Sequence, residues 1–138
     1  MEYFIVNSYM IVHDLHDVPY EKDPLVKRGN GSFDRLAILS QKKALKPTLT
    51  QERAIYRQMQ ELLAANPGAT KLSDAEKQQM TELLAIMFGM NYTAYMRGVN
   101  AEDEKVMSQA RETARTHLER LLGAPIARIR IDDTGVRQ

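Results

Sequence analysis

The run His13-Asp14-Leu15-His16-Asp17 sets two imidazoles among two carboxylates within five residues. On a helix, His13 and His16 would lie one turn apart, with His13 and Asp17 also neighbours. Imidazole and carboxylate are ligand types that zinc or iron takes. The same groups can pass a proton near neutral pH. His13, His16 and Asp17 are therefore the candidate metal-ligating or acid–base set. Against that reading, first-row metal sites usually fix three or four ligands. No HExxH motif or second paired histidine follows downstream. The simpler account has the cluster ending a helix, with His set against the dipole and Asp opening a loop. No cofactor is expected.

Other candidate chemistry is weaker. His117, flanked by Arg115, Glu119 and Arg120, falls near an apolar stripe and reads as a structural histidine. Ser8, Ser32, Ser40, Ser73 and Ser108 lie in no G-x-S-x-G context, so no serine nucleophile is indicated and no catalytic residue is assigned. Gly29-Asn30-Gly31 has no Gly-Lys-Ser/Thr after it and reads as a turn, not a phosphate loop. Lys42, Lys43 and Lys46, extended by Arg53 and Arg57 near Tyr56, form a basic face; Arg111 and Arg115 form a second pair. Glu52, Glu61, Glu112 and Glu119 dilute that field, which favours a solvated helix face over a nucleic-acid contact.

Eight methionines are many for this length, and Met80, Met87, Met90 and Met96 stand among Phe88, Tyr92 and Tyr95. Thioether side chains are flexible and polarizable, suited to filling a core or to meeting a partner. Met87, Met90, Tyr92, Tyr95 and Met96 are the candidate partner-binding residues. Filling a core is the favoured role of this set; in the partner-groove alternative, the Tyr92 and Tyr95 hydroxyls fall at the groove's edge.

These residues need elements to position them. The chain has 138 residues, 43% hydrophobic and 27% charged, with 19 Lys and Arg against 18 Asp and Glu for a net charge of +1. That suits one helical domain over residues 1–138 with enough apolar content for a core. The absence of cysteine excludes disulfides, a thiol nucleophile and cysteine-ligated zinc. Near-neutral charge removes the footprint of a generic nucleic-acid or anionic-membrane binder. Tyr3 to Val12 follows Glu2, contains Asn7 and Ser8, and does not read as a signal peptide. The longest uncharged run, Leu83 to Met96, is shorter than the ~20 residues of a membrane span. A cytoplasmic address is the expectation, with a periplasmic or secreted one as the alternative for a cysteine-free chain.

Apolar residues at 4, 5, 8/9, 11, 12 and 15 predict a helix over about 2–16, with a strand as the alternative. Pro19, Pro24 and the glycines predict a flexible loop over 17–31. Ser32 is expected to cap a helix whose inner face carries Phe33, Leu36, Ala37, Leu39 and Ser40. Thr48 or Thr50 caps the next, with Ala54, Ile55, Met59, Leu62 and Leu63 as its stripe. Ser73-Asp74-Ala75-Glu76 is a capping box opening the strongest helix, to about Arg97, with Gly98 as its end. Its apolar character from 83 to 96 predicts burial on most sides, making Met80 to Tyr95 the spine of the fold. Asn100 is expected to cap the last long helix, whose inner face runs from Val106 and Met107 to Leu121 and Leu122 before Gly123. Ile126 to Ile131 alternates like a strand, a turn follows at 132–135, and the first segment is the expected strand partner. The tail 124–138 is otherwise extended.

From Leu49 onward the chain resembles the C-terminal helical part of a family of uncharacterised Gram-negative bacterial proteins, a domain of unknown function. The resemblance rests on Leu49-Thr50-Gln51-Glu52-Arg53, on Ser73-Asp74-Ala75-Glu76-Lys77-Gln78-Gln79-Met80-Thr81-Glu82-Leu83-Leu84 and on a closing amphipathic helix ending in Thr134-Gly135, with Tyr9 to Leu15 matching an upstream helix. It implies a helical architecture and a bacterial origin, and carries no catalytic residue with it.

The expectation is a mainly α fold: about five helices in a small bundle with a short extended or β tail. The preferred function is a non-enzymatic protein-interaction module, binding a protein partner or itself. The alternatives are a metal-binding protein or enzyme using His13, His16 and Asp17, and nucleic-acid binding through the Lys/Arg face.

Overall fold

A computed structural model describes residues 1–28 and 35–138. Glu2–Val12 is helical (α1). This segment is apolar nearly all round, and a helix of that kind is buried on most sides. Phe4 and Ile11, seven residues or two turns apart, face a cluster of Phe88, Tyr95, Val99, Met107, Ala110 and Ala114. Ile5 and Val6 face a second cluster of Ile55, Met59, Leu118, Ala124, Ile129 and Val136. α1 is therefore the element common to both halves of the core, and the strand alternative for this segment is discarded.

Residues 17–28 are more regular than the predicted loop. Tyr20–Lys22 makes a 3-10 turn and Pro24–Arg28 a short helix (α2). Pro24 occupies the first helical position, which needs no donor, and the Asp23 carboxylate accepts from the Leu25 N–H at 2.9 Å. The Gly29-Asn30-Gly31 turn, the Ser32 cap and Phe33 lie outside the described residues.

Arg35–Leu45 (α3) buries Ile38 and Lys42, not the predicted face, and leaves Leu36 and Leu39 exposed. The reason is a charge: Lys42 finds an internal carboxylate, so a basic residue sets the inward side. Leu49–Ala65 (α4) opens on a Thr48–Gln51 capping box and buries Ala54, Ile55 and Met59. Its last turn, with Leu62 and Leu63, is exposed. Pro67–Thr70 (α5) is a single turn. Asp74–Ala101 (α6) starts on the Ser73–Glu76 box, as expected, and Glu104–Leu122 (α7) ends at Gly123 in the left-handed region. Five helices of 11 residues or more, α1, α3, α4, α6 and α7, make up the described fold.

Two boundaries differ from expectation. α6 continues through Gly98 to a left-handed Glu102, φ 56°. Asp103, not Asn100, caps α7 by accepting from the Lys105 and Val106 N–H groups. Gly98 serves close approach instead of termination: a Cβ there would lie 2.8 Å from the Met107 backbone nitrogen and 2.7 Å from its Cγ. The tail also differs. Ile126–Arg128 is a 3-10 turn, and Arg130–Asp132 (β1) pairs antiparallel with Gly135–Arg137 (β2), not with the first segment. The Gln58 side chain then acts as a third strand toward β2. Its amide donates to the Val136 carbonyl at 2.9 Å and its oxygen accepts from the Val136 N–H at 2.8 Å.

The predicted spine is the largest correction. α6 packs mainly on α7 and also on α1, but only its C-terminal half is well covered. Phe88, Asn91, Tyr95, Gly98 and Val99 are buried, whereas Met80, Leu83, Ile86 and Met90 are exposed. α6 has 28 residues against 19 in α7. At 1.5 Å per residue it is about 13 Å longer than α7. α1 takes the central role that the sequence suggested for α6.

Gly98→Ala should lower the unfolding free energy by about 1–3 kcal/mol, because backbone stands where the new methyl must go. Urea denaturation followed by circular dichroism measures this, and an unchanged midpoint would contradict the close α6–α7 crossing.

Candidate functional site

The predicted chemical cluster begins where α1 ends. Asp14 adopts φ 55°, in the left-handed region that Asp tolerates better than most residues. That turn drives its carboxylate inward, where it is fully buried. Tyr95 of α6 donates its hydroxyl to Asp14 Oδ1 at 2.9 Å. Arg111 of α7 donates Nη1 to both Asp14 oxygens at 3.2 and 3.3 Å, and its Nη2 pairs with Glu104. One carboxylate thus joins α1, α6 and α7. Burial, and then the Asp14 charge, push the Tyr95 phenol far above its ordinary range, so it stays a neutral donor. Burial opposes the Arg111 charge, but Asp14 and Glu104 outweigh it and hold the guanidinium charged.

His13, His16 and Asp17 do not converge. His13 lies against the Tyr9 ring, with centroids 4.4 Å apart. His16 turns the other way, between Tyr92 and Tyr95 at 5.0 and 5.9 Å. Asp17 is exposed and pairs with Lys46 at 2.6 Å. Among the described residues no three His, Asp or Glu side chains are grouped to hold a metal ion. His16 is buried, and among the described residues its Nε2 has no hydrogen-bond partner. Its backbone carbonyl accepts from Lys42 Nζ at 2.8 Å, and Lys42 pairs with Asp23 at 2.5 Å, both side chains buried. These contacts bind the loop, α2 and α3 to the end of α1.

The basic face is also broken up. Lys42 is inside and Lys46 is paired. Arg53, Tyr56 and Arg57 line a shallow open depression with Thr50, and Lys43 is exposed on α3. Arg111 is committed to the Asp14 network and Arg115 to Glu112 at 3.2 Å.

The candidate partner residues divide by helical phase. Tyr95 has no exposed area, so its hydroxyl belongs to the core and not to a groove edge. This corrects the expectation, and the cause is that Phe88 and Tyr95 share the side that packs with Phe4 and Ile11 of α1. Met87 and Tyr92 are half-buried against the core, and Tyr92 stacks on Phe88 at 5.6 Å. Met96 is half-buried on the flank. Met90 alone of the five is fully displayed, 71% exposed. It stands in a stripe with Leu83 (58%) and Ile86 (59%) that sequence reasoning passed over. Beside it an open groove is lined by Ile86, Gly89, Met90 and Arg97 of α6 and by Val106 and Gln109 of α7. The signal for the stripe was available in the excess of apolar residues over what two helical faces of a small fold can bury.

Two stability measurements follow. Asp14→Asn keeps a residue suited to the left-handed turn but strips the charge opposing Arg111; it should cost about 3 kcal/mol, against about 1 kcal/mol for Tyr95→Phe. Equal, negligible effects in denaturant titrations would remove the network from the fold's energetics. The second concerns pH. Burial chiefly, and the Lys46 and Lys42 charges, hold His16 below its ordinary 6.5, while the Asn7 backbone and Asp17 oppose this. The unfolded chain therefore takes up the proton first. The stability contribution is complete above 6.5 and is lost as pH falls toward the lower folded value. His13 is shifted the same way, also by burial. Thermal melts of wild type should drop between pH 7 and 5, and His16→Phe should flatten that drop more than His13→Phe.

No helix among the described residues is long and apolar enough to cross a membrane. No curated protein and no solved structure matches the chain. Residues 44–138, from the end of α3 through the β hairpin, match a family model, and the chain thereby belongs to DUF6683, a family of unknown function.

Proposed function

We propose that the chain is a non-enzymatic protein-interaction module of a bacterial cell, docking through the exposed side of α6. The observation that carries this is the stripe of Leu83, Ile86 and Met90 on a helix whose opposite side is packed into the core. Scattered apolar residues on a surface need no explanation, but three large ones on one helical face beside a groove do. Helix-in-groove recognition uses this spacing of anchors. Met90 adds an adaptable side chain at the most exposed position. The chemistry-bearing residues support the same reading, because Tyr95 and Arg111 both donate to Asp14 and so hold the helix that carries the stripe.

The test uses the double variant Leu83→Glu/Ile86→Glu. Both positions are exposed, so helix content and melting temperature should stay close to wild type. Proteins retained by immobilised wild-type chain, including added chain itself, should be lost from the variant column. Identical retention by the two, with folding intact, would reject the stripe as the binding surface.

A further inference from the structure

We infer, building on the interaction reading above, that the occupant of the stripe is a second copy of this chain, laid antiparallel along α6 about a twofold axis between Ile86 and Met87. The order of residues along α6 carries this. At 100° per residue, Glu76, Leu83, Ile86, Met90 and Arg97 fall on one side of the helix, away from Phe88 and Tyr95. About that midpoint the series is self-complementary. Leu83 meets Met90 of the partner subunit, and Glu76 meets Arg97 of the partner subunit. The two charged positions lie about 16 Å on either side of the axis, so each end of the apolar contact closes on an opposite-charge pair.

A parallel arrangement would instead set Glu76 against Glu76 of the partner subunit and Arg97 against Arg97 of the partner subunit. Charge order therefore selects the antiparallel one. Antiparallel helices also oppose their macrodipoles favourably. Both charges are exposed. Arg97 lines the groove, and Glu76, whose Oε2 accepts from the Ser73 amide and hydroxyl at 2.7 Å, is held below its ordinary carboxylate range by them. The uneven cover of α6 fits as well. Its N-terminal half, exposed from Ser73 to Leu83, would fill on the second copy the groove between α6 and α7 that begins at Ile86. Isologous contacts of this kind close at two subunits.

Sedimentation equilibrium on the full chain should give a concentration-dependent mass rising from 15.8 kDa to twice that value, and Leu83→Glu should abolish the rise. Because the chain has no cysteine, single cysteines report the register without disturbing the core. A disulfide requires Cα atoms within about 7 Å. Ile86→Cys should therefore oxidise to a covalent dimer. Leu83→Cys alone should not, because the two copies of residue 83 stand about 10 Å apart along the axis. A mixture of Leu83→Cys and Met90→Cys chains should cross-link to each other. A monomer at all concentrations overturns the proposal. So does a dimer that cross-links through Leu83→Cys alone, or one that fails to cross-link through Ile86→Cys. A monomer whose Leu83→Glu/Ile86→Glu variant still loses retained proteins would leave the interaction reading standing with a different occupant.

Discussion

The structure depends on the turn that follows α1. A helix apolar nearly all round must be largely enclosed, and α1 packs against α6 and α7 on one side and against α4, the end of α7 and the tail on the other. Hydrophobic burial is non-directional, so it does not by itself fix how α6 and α7 are rotated around α1. The buried Asp14 carboxylate supplies the direction. It takes one donor from α6 and a two-oxygen contact from α7. A buried charge without these partners would be costly, so the packing that satisfies it is strongly preferred over its rotations. Lys42 does the same for the N-terminal loop, reaching both Asp23 and the His16 carbonyl from α3.

That constraint also decides what stays outside. With Tyr95 fixed inward on Asp14, the helix phase is set, and Leu83, Ile86 and Met90 must emerge on the far side. The exposed stripe is thus a consequence of the same hydrogen bond that organises the core. A long helix held rigidly at one end, with a capping box stabilising the other, presents such a stripe without the entropy loss of ordering a loop.

The residues with the strongest chemical signature are held in contacts that tie the fold together. His16 lies between aromatic rings with Nε2 unpartnered among the described residues, an arrangement that favours the neutral ring and gives the fold a sensitivity to acid. The Asp14 side chain leaves the helical path at a left-handed backbone turn that a helical reading of residues 2–16 could not contain. Spacing on a helix predicts neighbours only while the helix continues, and α1 stops at Val12.

Local signals settled much of the architecture. The helical class, the Ser73–Glu76 capping box, the stop at Gly123 and a short β tail were legible because each rests on residues close in sequence, whereas the pairing of that tail with itself was not. Near Gly98 the same logic failed, since glycine permits either a helix end or a tight crossing, and only the position of Met107 distinguishes them. The Met and Tyr positions on α6 were identified as a group, yet their division into core and surface was not. Periodicity shows which residues share a side; it does not show how many sides have neighbours. Which of two apolar helices becomes the centre was decided by tertiary packing, through a buried carboxylate whose partners lie 81 and 97 residues away.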